Sequence, residues 1–292
     1  MSLRTPRCLT SSIAIVALLL GGLAIAQRNR GGGFGDPHGG GGGGFGMFDR
    51  NGVPDWEVKR HLPDDVFTFV RIRYDSHDGG WGRRGGKWRT DYPDSDLNFS
   101  YRLQELTSLE VDPDGKILEL TDPELFDYPF IYMIEPGSIW LSDEEIKALR
   151  KYLLNGGFLM VDDFWGDWEW EHFAGVFKQV FPDREFEELE LDHPIFHCVF
   201  DLQEKPQVPA IREALAGRDA GITWEWGKQG AEKVSYKQVR DDDGRMMCII
   251  CFNTDLGDGW EREGESRWYF EEFSEKKAYP MGVNIVFYAL TH

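Results

Sequence analysis

The fold is decided by the stretch Leu149-Arg-Lys-Tyr-Leu-Leu-Asn-Gly-Gly-Phe-Leu-Met-Val-Asp-Asp-Phe-Trp-Gly166. Its first part predicts the end of an amphipathic helix that begins after Ser142, because Ser142 and Glu145 have the spacing of a capping box. Asn155-Gly156-Gly157 ends this helix, since glycine readily adopts the left-handed conformation of a helix terminus. Phe158–Val161 is apolar on both faces, which is typical of a buried strand in a parallel sheet. The stretch therefore predicts a helix that leads directly into a parallel strand.

The same alternation of strands and helices runs along most of the chain. Strands are expected at residues 66–74, 130–134, 158–161 and 187–191, and in a hairpin formed by 234–239 and 245–252. Helices are expected at 94–106, 142–154 and 281–290, and in a segment that ends near Val180. Residues 203–232 have no clear pattern apart from a possible helix at 211–215, and a loop is expected around Asp258, Trp260 and Trp268. This alternation predicts an α/β fold with a mostly parallel sheet flanked by helices.

The N-terminus has the pattern of a secretory signal peptide at residues 1–26. Arg4 and Arg7 precede an apolar run at 13–20, and Ala24-Ile25-Ala26 is a cleavage site of the A-x-A type. An uncleaved membrane anchor is the alternative, but the apolar run is short for a span. We therefore expect an exported protein of the periplasm or cell envelope, with no stable membrane span after cleavage.

A glycine-rich linker is expected at residues 27–52, since eleven glycines fall between residues 31 and 46. These glycines do not follow a strand, so they do not predict a phosphate-binding loop. A single α/β domain is expected at 53–292.

Charge and cysteine content exclude some classes of function. The formal charge is −19, and removal of Arg4 and Arg7 with the signal peptide would make it −21, which argues against nucleic-acid partners. Three cysteines would remain, an odd number that predicts no disulfide framework. Cys248 and Cys251 fall three residues apart in a predicted strand, so we expect buried thiols on opposite faces.

Polar side chains follow four of the predicted strands and define the candidate site. If the strands are parallel, these residues meet at one edge of the sheet, where α/β proteins bind ligands. Asp91 is added from a long glycine-rich loop, Trp165 as an aromatic residue beside the acids, and His193 as a possible acid or base. The candidates are Arg71, Arg73, Asp75, Asp91, Glu135, Asp162, Asp163, Trp165, His193, Asn253 and Asp255. A network in which arginines neutralise acids is the structural alternative to a ligand site.

Six tryptophans are expected in loops, where their rings suit either sugar binding or core and lid packing. They are Trp81, Trp88, Trp165, Trp168, Trp260 and Trp268.

Two patterns suggest metals, and neither is convincing. His193 and His197 have a zinc-like spacing, but Pro194 disfavours the regular helix that this spacing requires. The segment from Asn253 to Glu261, with Asp255 and Asp258, is rich in oxygen ligands but lacks the spacing of an EF-hand loop. We therefore expect turns at both places, with no metal and no cofactor.

From about residue 66 to 292 the chain resembles the bacterial domain-of-unknown-function 4159 family. The resemblance is carried by Phe67-Thr-Phe-Val-Arg-Ile-Arg-Tyr74, Thr90-Asp-Tyr-Pro-Asp94, Leu118-Glu-Leu-Thr-Asp-Pro-Glu-Leu-Phe-Asp-Tyr-Pro-Phe130, Asn155-Gly-Gly-Phe-Leu-Met-Val-Asp-Asp-Phe164, Leu191-Asp-His-Pro-Ile-Phe196, Asn253-Thr-Asp-Leu-Gly-Asp-Gly-Trp260 and Tyr279-Pro-Met-Gly282. It implies a flavodoxin-like fold similar to class I glutamine amidotransferases, with no established activity and no catalytic residues to transfer. The turn at Asp162-Asp163-Phe164 has no cysteine or serine where amidotransferases place a nucleophile, so thiol acyl transfer is not expected.

Two functions follow as expectations. The first is a non-catalytic exported domain that binds a polar small molecule, a glycan or a partner protein at the strand ends, where Asp163, Glu135, Arg73 and Asp255 would face each other. The second is a hydrolase that uses Asp162 or Asp163 with His193 as acid and base.

Overall fold

The computed structural model describes residues 50–58, 65–77 and 86–292. The predicted signal peptide, nearly all of the predicted linker, and Trp81 lie outside the described residues.

The strands form one mixed seven-stranded sheet and two short two-stranded sheets. Their bounds are β1 Val66–Phe67, β2 Val70–Arg73, β3 Asp75–Ser76, β4 Glu110–Val111, β5 Lys116–Glu119, β6 Phe130–Ile134, β7 Ile139–Trp140, β8 Phe158–Asp162, β9 Glu187–Glu188, β10 Ser235–Arg240 and β11 Met246–Phe252. The main sheet has the order β5-β2-β6-β8-β11-β10-β9. In the small sheets, β1 pairs with β4 and β3 pairs with β7.

The main sheet is mixed, so the prediction of a mostly parallel sheet is wrong. Neighbouring strands from β5 to β11 are parallel, whereas β10 is antiparallel to both β11 and β9. The reason is the tight turn at Asp241–Gly244, which joins β10 to β11 as a hairpin and reverses the chain within the sheet. The coarser prediction of an α/β fold is confirmed.

Helices cover both faces of the sheet. Their bounds are α1 Asp94–Leu106, α2 Asp143–Leu154, α3 Gly166–Val180, α4 Ile211–Gly217, α5 Leu256–Glu261, α6 Arg267–Tyr269 and α7 Tyr279–Thr291, with a π-helix at Phe270–Ala278 between the last two. The loop predicted around Asp258 and Trp260 is wrong, because Asp255 caps α5 by accepting a hydrogen bond from the Asp258 amide. Ser266 caps α6 in the same way, so Trp268 is also helical.

The stretch Leu149–Gly166 has the predicted helix-to-strand structure. Ser142 and Glu145 form both hydrogen bonds of the capping box at the start of α2. The ring of Tyr152 covers Gly157, where an added Cβ would lie 2.3 Å from a ring carbon. No side chain larger than hydrogen fits there, which explains the second glycine.

The two faces of the sheet bury two separate hydrophobic clusters. One contains Phe130 and Tyr132 of β6 and is covered by α1, α5 and α7, whereas the other contains Ile131 of β6 and is covered by α2 and α3. Cys248 and Cys251 fall in different clusters, are fully buried and are free thiols, so the prediction for these two cysteines is confirmed. In the part of the chain that the structure describes, none of the helices has the length and apolar character needed to cross a membrane.

Replacing the helix cap of α2 should destabilise the domain. In Ser142→Ala the amide of Glu145 loses its acceptor, and we expect the free energy of unfolding to fall by about 1 kcal/mol. Ser142→Asp keeps an acceptor at the cap and should stay close to the wild type. Urea denaturation of the three proteins gives the comparison, and equal midpoints for Ser142→Ala and the wild type would contradict it.

Candidate functional site

The carboxyl ends of four parallel strands meet at one edge of the main sheet. Ile134 of β6 is in register with Asp162 of β8, and the Glu135 amide donates to the Asp162 carbonyl oxygen at 3.0 Å. The Asn253 amide, after β11, donates to the Phe164 carbonyl oxygen at 3.0 Å. The structure therefore brings Glu135, Asp163 and Asn253 onto adjacent loops.

Strained backbone is concentrated at this edge. Asp91, Glu135, Asp163 and Asn253 have φ angles of 61°, 47°, 56° and 58°, in the left-handed region that non-glycine residues rarely adopt. Among the described residues, Asn51 is the one other non-glycine residue with a positive φ. Such conformations cost about 1–3 kcal/mol each and persist where the surrounding structure imposes them, often at functional sites.

Five aspartates form what we call the acidic cluster: Asp91, Asp162, Asp163, Asp255 and Asp258. Four of the five are buried and Asp91 is half-buried. They come from the loop before α1, the end of β8 and the start of α5. The five carboxylates interact electrostatically, because other members of the cluster raise the pKa of Asp91, Asp163 and Asp255.

Hydrogen bonds satisfy only part of this cluster. Asp162 Oδ2 accepts from the Tyr132 hydroxyl at 3.1 Å and from the Gly257 amide at 3.0 Å. Asp162 Oδ1 and Asp91 Oδ2 are buried and have no hydrogen-bond partner within the described residues. Buried acceptors left in this state cost free energy, so both atoms are suited to receive a donor or a cation.

Asp258 is the best satisfied member of the cluster. Its Oδ2 accepts from the Ile211 amide at 2.6 Å, and its Oδ1 accepts from Arg262 Nε at 3.1 Å. Asp255 accepts from the Asp258 amide at 2.6 Å. Oxygen atoms of Asp91, Asp255 and Asp258 lie within 4.8 Å of one another, so these three residues could hold a metal ion. The sequence-based expectation of no metal site did not consider this group, because Asp91 is far from the other two along the chain.

Burial favours the protonated form throughout the cluster. It raises the pKa of Asp162 to about 7, against smaller opposing effects of the hydrogen bonds that the carboxylate accepts. It also raises the pKa of Asp91, Asp163 and Asp255 well above the usual range, and neighbouring carboxylates add to each shift. The cluster therefore resists carrying its full negative charge unless a cation or donor is supplied.

Asp163 accepts a hydrogen bond from Trp165 Nε1 at 3.1 Å. We expected its partner to come from another strand end, and in the structure the donor belongs to its own loop. Trp165, beside Asp163, is fully buried, and so is Trp260 elsewhere in the core. The rings of these two tryptophans therefore cannot stack on a sugar. Trp168 lies in the first turn of α3 and is 65% exposed.

Arg71 is part of a structural network beneath the site. It is fully buried, pairs with Asp96, and donates to the carbonyl oxygens of Trp88 at 2.9 Å and Thr90 at 3.0 Å. These bonds fix the backbone immediately before Asp91. Arg71 therefore positions a site residue and offers no free donor to a ligand.

Arg73 and Asp75 are not placed at the acidic cluster. Arg73 pairs with Glu119 of the neighbouring strand β5 at 2.6 Å, in an exposed position. Asp75 lies in β3, which pairs with β7 in a small separate sheet. The expected arrangement of Arg73 facing Asp163 is therefore wrong, because its cross-strand partner is Glu119.

His193 lies at the other end of the sheet. It packs against Tyr288, and its pKa is lowered by burial and, to a smaller extent, by the charge of Arg240, which is in register with the first residue of β11. The acids follow the carboxyl ends, and seven residues of extended strand span roughly 20 Å. The hydrolase expectation paired His193 with Asp162 or Asp163, and the structure separates them. His193 instead caps a short 3-10 helix at Pro194–Phe196, consistent with the expected turn.

Two lysines at the rim were not predicted from the sequence. Lys87 pairs with Glu135 at 2.6 Å, and Lys228 pairs with Glu169 at 2.9 Å and Glu225 at 2.8 Å. Lys87 follows a glycine-rich loop and Lys228 lies in a stretch without periodicity, so no local pattern marked them. They place positive charge over a floor of carboxylates.

Comparison with known proteins identifies the family of this chain. Residues 68–290 match the family model described as Domain of unknown function (DUF4159), and the chain belongs to that family. A search of curated proteins found no match.

Asp162 should make stability depend on pH. Its folded-state pKa of about 7 lies above the unfolded value of about 3.9. Its contribution is therefore fully present below about pH 4 and is lost as the pH rises through 7. Asp162→Asn removes this titration. Between pH 4 and 8 the free energy of unfolding of the variant should therefore fall by up to about 4 kcal/mol less than that of the wild type.

Urea denaturation at several pH values, with chelator in every buffer, provides the measurement. The other raised carboxylates contribute in the same direction in both proteins, but Asp162 also raises the pKa of Asp163 and Asp255. The difference between the two curves therefore reports Asp162 together with its effect on these two neighbours. Parallel curves would show that Asp162 is ionised in the folded protein at neutral pH.

Proposed function

We propose that this member of the DUF4159 family is an exported, non-catalytic domain that binds a polar ligand at the carboxyl edge of its sheet. The ligand classes that fit are a polar small molecule, a glycan or a polar surface of a partner protein. The observation that carries the proposal is a pair of buried oxygens, Asp91 Oδ2 and Asp162 Oδ1, at an edge where four residues have left-handed backbone. Neither oxygen has a hydrogen-bond partner in the part of the chain that the structure describes.

The strand order supports a flavodoxin-like fold as part of this proposal. Numbered along the chain, the parallel strands β2, β5, β6, β8 and β11 stand in the order second, first, third, fourth, fifth. This is the flavodoxin-like order. In it the chain adds its second strand on one side of the first strand and its third strand on the other side, so the switch point lies between the first and third strands. Here that point lies between β2 and β6, next to Asp91 and Glu135. Ligands of such folds bind in the crevice outside the strand ends at this point.

Charge at the crevice favours a ligand with both donors and acceptors. Hydroxyl, ammonium or amide groups could donate to the unpartnered carboxylate oxygens on the floor. Lys87 and Lys228 at the rim could donate to hydroxyl or anionic groups of the same ligand. Both lysines are partly exposed and already pair with glutamates, and an ammonium group has three donors, so each lysine could donate to a ligand while keeping its glutamate partner.

Catalysis is not part of the proposal. The turn after β8 has aspartates where an acyl-transfer enzyme would need a nucleophile, and the predicted base His193 lies at the opposite end of the strands. Binding requires only the donors and acceptors that are present.

Asp163→Asn should weaken ligand binding with little effect on folding. Asparagine tolerates the left-handed backbone of this position and has nearly the same size, but it cannot carry the charge that a donor would meet. We expect affinity to fall at least about tenfold for any ligand that shifts the melting temperature of the wild type. The screen uses sugars and nucleotides, first on the wild type and then on the variant.

The matched control is Asp192→Asn, which removes the same charge beside His193 at the other end of the sheet. It should bind like the wild type. If Asp163→Asn and Asp192→Asn affect binding equally, the ligand site is not at the carboxyl edge.

The mature protein should begin at about Gln27, because Ala24-Ile25-Ala26 has the pattern of a signal-peptidase site. Intact mass and N-terminal sequencing of the protein from its native envelope fraction test this. A chain that retains Met1 and fractionates with the cytoplasm would refute export.

A further inference from the structure

Three carboxylates at the floor of the crevice have the separations of ligands to one ion. One oxygen atom from each of Asp91, Asp255 and Asp258 lies within 4.8 Å of the other two. Oxygen atoms on opposite sides of a Ca²⁺ ion stand about 4.8 Å apart, since each Ca–O distance is about 2.4 Å. The three oxygen atoms are therefore close enough together to bind the same ion.

The charge around these carboxylates is not balanced by the protein. Within the described parts of the chain, Arg262 is the cation paired with Asp258, at 3.1 Å. The nearby guanidinium of Arg71 is already occupied by Asp96 and by carbonyl oxygens. Arg262 also pairs with Glu261 and Glu265, so its single positive charge is shared with those two carboxylates. The three aspartates are therefore short of positive charge, which one divalent cation would supply.

An independent observation points into the same space. Asp91 Oδ2 is buried and without a hydrogen-bond partner within the described residues. It is directed at the first turn of α5, because a Cβ added to Gly257 would lie 2.8 Å from it. Gly257 stands between Asp255 and Asp258 in that turn. The unsatisfied oxygen thus lies against the turn that carries the two carboxylates with which it would share a ligand.

The backbone around Asp91 holds this oxygen in place. Asp91 has a left-handed φ of 61°, its carbonyl oxygen accepts from the Ser95 amide at 2.9 Å, and Arg71 fixes the preceding residue, Thr90. Asp255 is fixed as the cap of α5. The carboxylates are therefore positioned by the fold before any ligand arrives, which is the condition for a preorganised site.

We propose that Asp91, Asp255 and Asp258 bind one hard divalent cation, of the Ca²⁺ or Mg²⁺ type. A set of oxygen ligands without sulfur or imidazole selects such ions over zinc or copper. The inference rests on the proposed function, because the ion would form the floor of the same crevice. Its open coordination positions would then receive hydroxyl, carboxylate or phosphate oxygens of the polar ligand.

The test uses the full mature chain, treated with chelator and then freed of it. CaCl₂, MgCl₂ and MnCl₂ are titrated separately by calorimetry, and the melting temperature is measured with and without each ion. We expect one ion per chain for at least one of the three salts, with a dissociation constant of about 1 mM or tighter. The same ion should raise the melting temperature of the wild type, and chelator should reverse the rise.

Two substitutions locate the ion without disturbing the backbone. Asp255→Asn keeps a good helix cap, and Asp91→Asn keeps a residue that tolerates the left-handed conformation. Each should weaken binding of the ion at least tenfold. Asp219→Asn removes one exposed carboxylate in a 3-10 helix outside the crevice and should bind the ion as the wild type does.

Several results would overturn the proposal. One is a wild type that shows neither heat nor a melting shift with any of the three salts. Another is binding that Asp91→Asn and Asp255→Asn leave unchanged, which would place the ion elsewhere. Should either variant fail to fold, the reversible shift of the wild type still decides whether an ion binds. Paramagnetic broadening by Mn²⁺ of NMR signals from α5, with signals of α2 unaffected, then decides where it binds.

The ion and the polar ligand can fail separately. A sugar or nucleotide could bind the wild type in the presence of chelator and fail to bind Asp163→Asn. This result would support the proposed function and show that ligand binding does not need the ion. An ion that binds at Asp91 and Asp255 without any organic ligand would support the ion site and count against the broader function.

Discussion

The carboxyl edge of the sheet depends on the buried ion pair between Arg71 and Asp96. Arg71 belongs to β2, next to the edge strand β5, and is fully buried, where an unpaired guanidinium would be strongly unfavourable. Asp96 in the first turn of α1 supplies the charge, and the carbonyl oxygens of Trp88 and Thr90 take up further donors. One side chain thus joins a strand, the start of a helix and the loop between them. Removing either charge would leave the other buried and uncompensated, at a cost of about 3–5 kcal/mol.

The sequence predicted well those features that depend on neighbouring residues. The capping box at Ser142, the strand at Phe130–Ile134 and the helix at Asp94–Leu106 follow from local spacing, and the structure has them at the predicted residues. The sequence did not predict the helices that begin at Leu256 and Arg267, since glycines, tryptophans and charges there have no helical periodicity. Those helices form because Asp255 and Ser266 cap them and because the Trp260 ring is buried in the core.

The sequence predicted where the candidate site lies, but it did not predict which residues form it. Parallel strands bring their carboxyl ends together, so the edge itself followed from the alternation of strands and helices. Which acids meet there depends on how loops turn after the strands. Arg73 was expected at the site and pairs with Glu119 instead, whereas Asp258 joined the cluster from a segment that had been interpreted as a loop. Periodicity contains no information about such contacts, because they join residues that are far apart along the chain.

The position of β2 inside the sheet has a consequence for how the domain folds. β2 comes early in the chain, yet it stands between β5 and β6, and the loop that follows it carries Asp91 to the start of α5 near the other terminus. The acidic cluster is therefore complete only when the segment around Asp91 and the segment from Asp255 to Asp258 have come together at one edge of the sheet, a contact of high sequence separation that forms late and slowly. Occupancy of this edge should consequently be coupled to the global stability of the domain, and not to the ordering of a single loop.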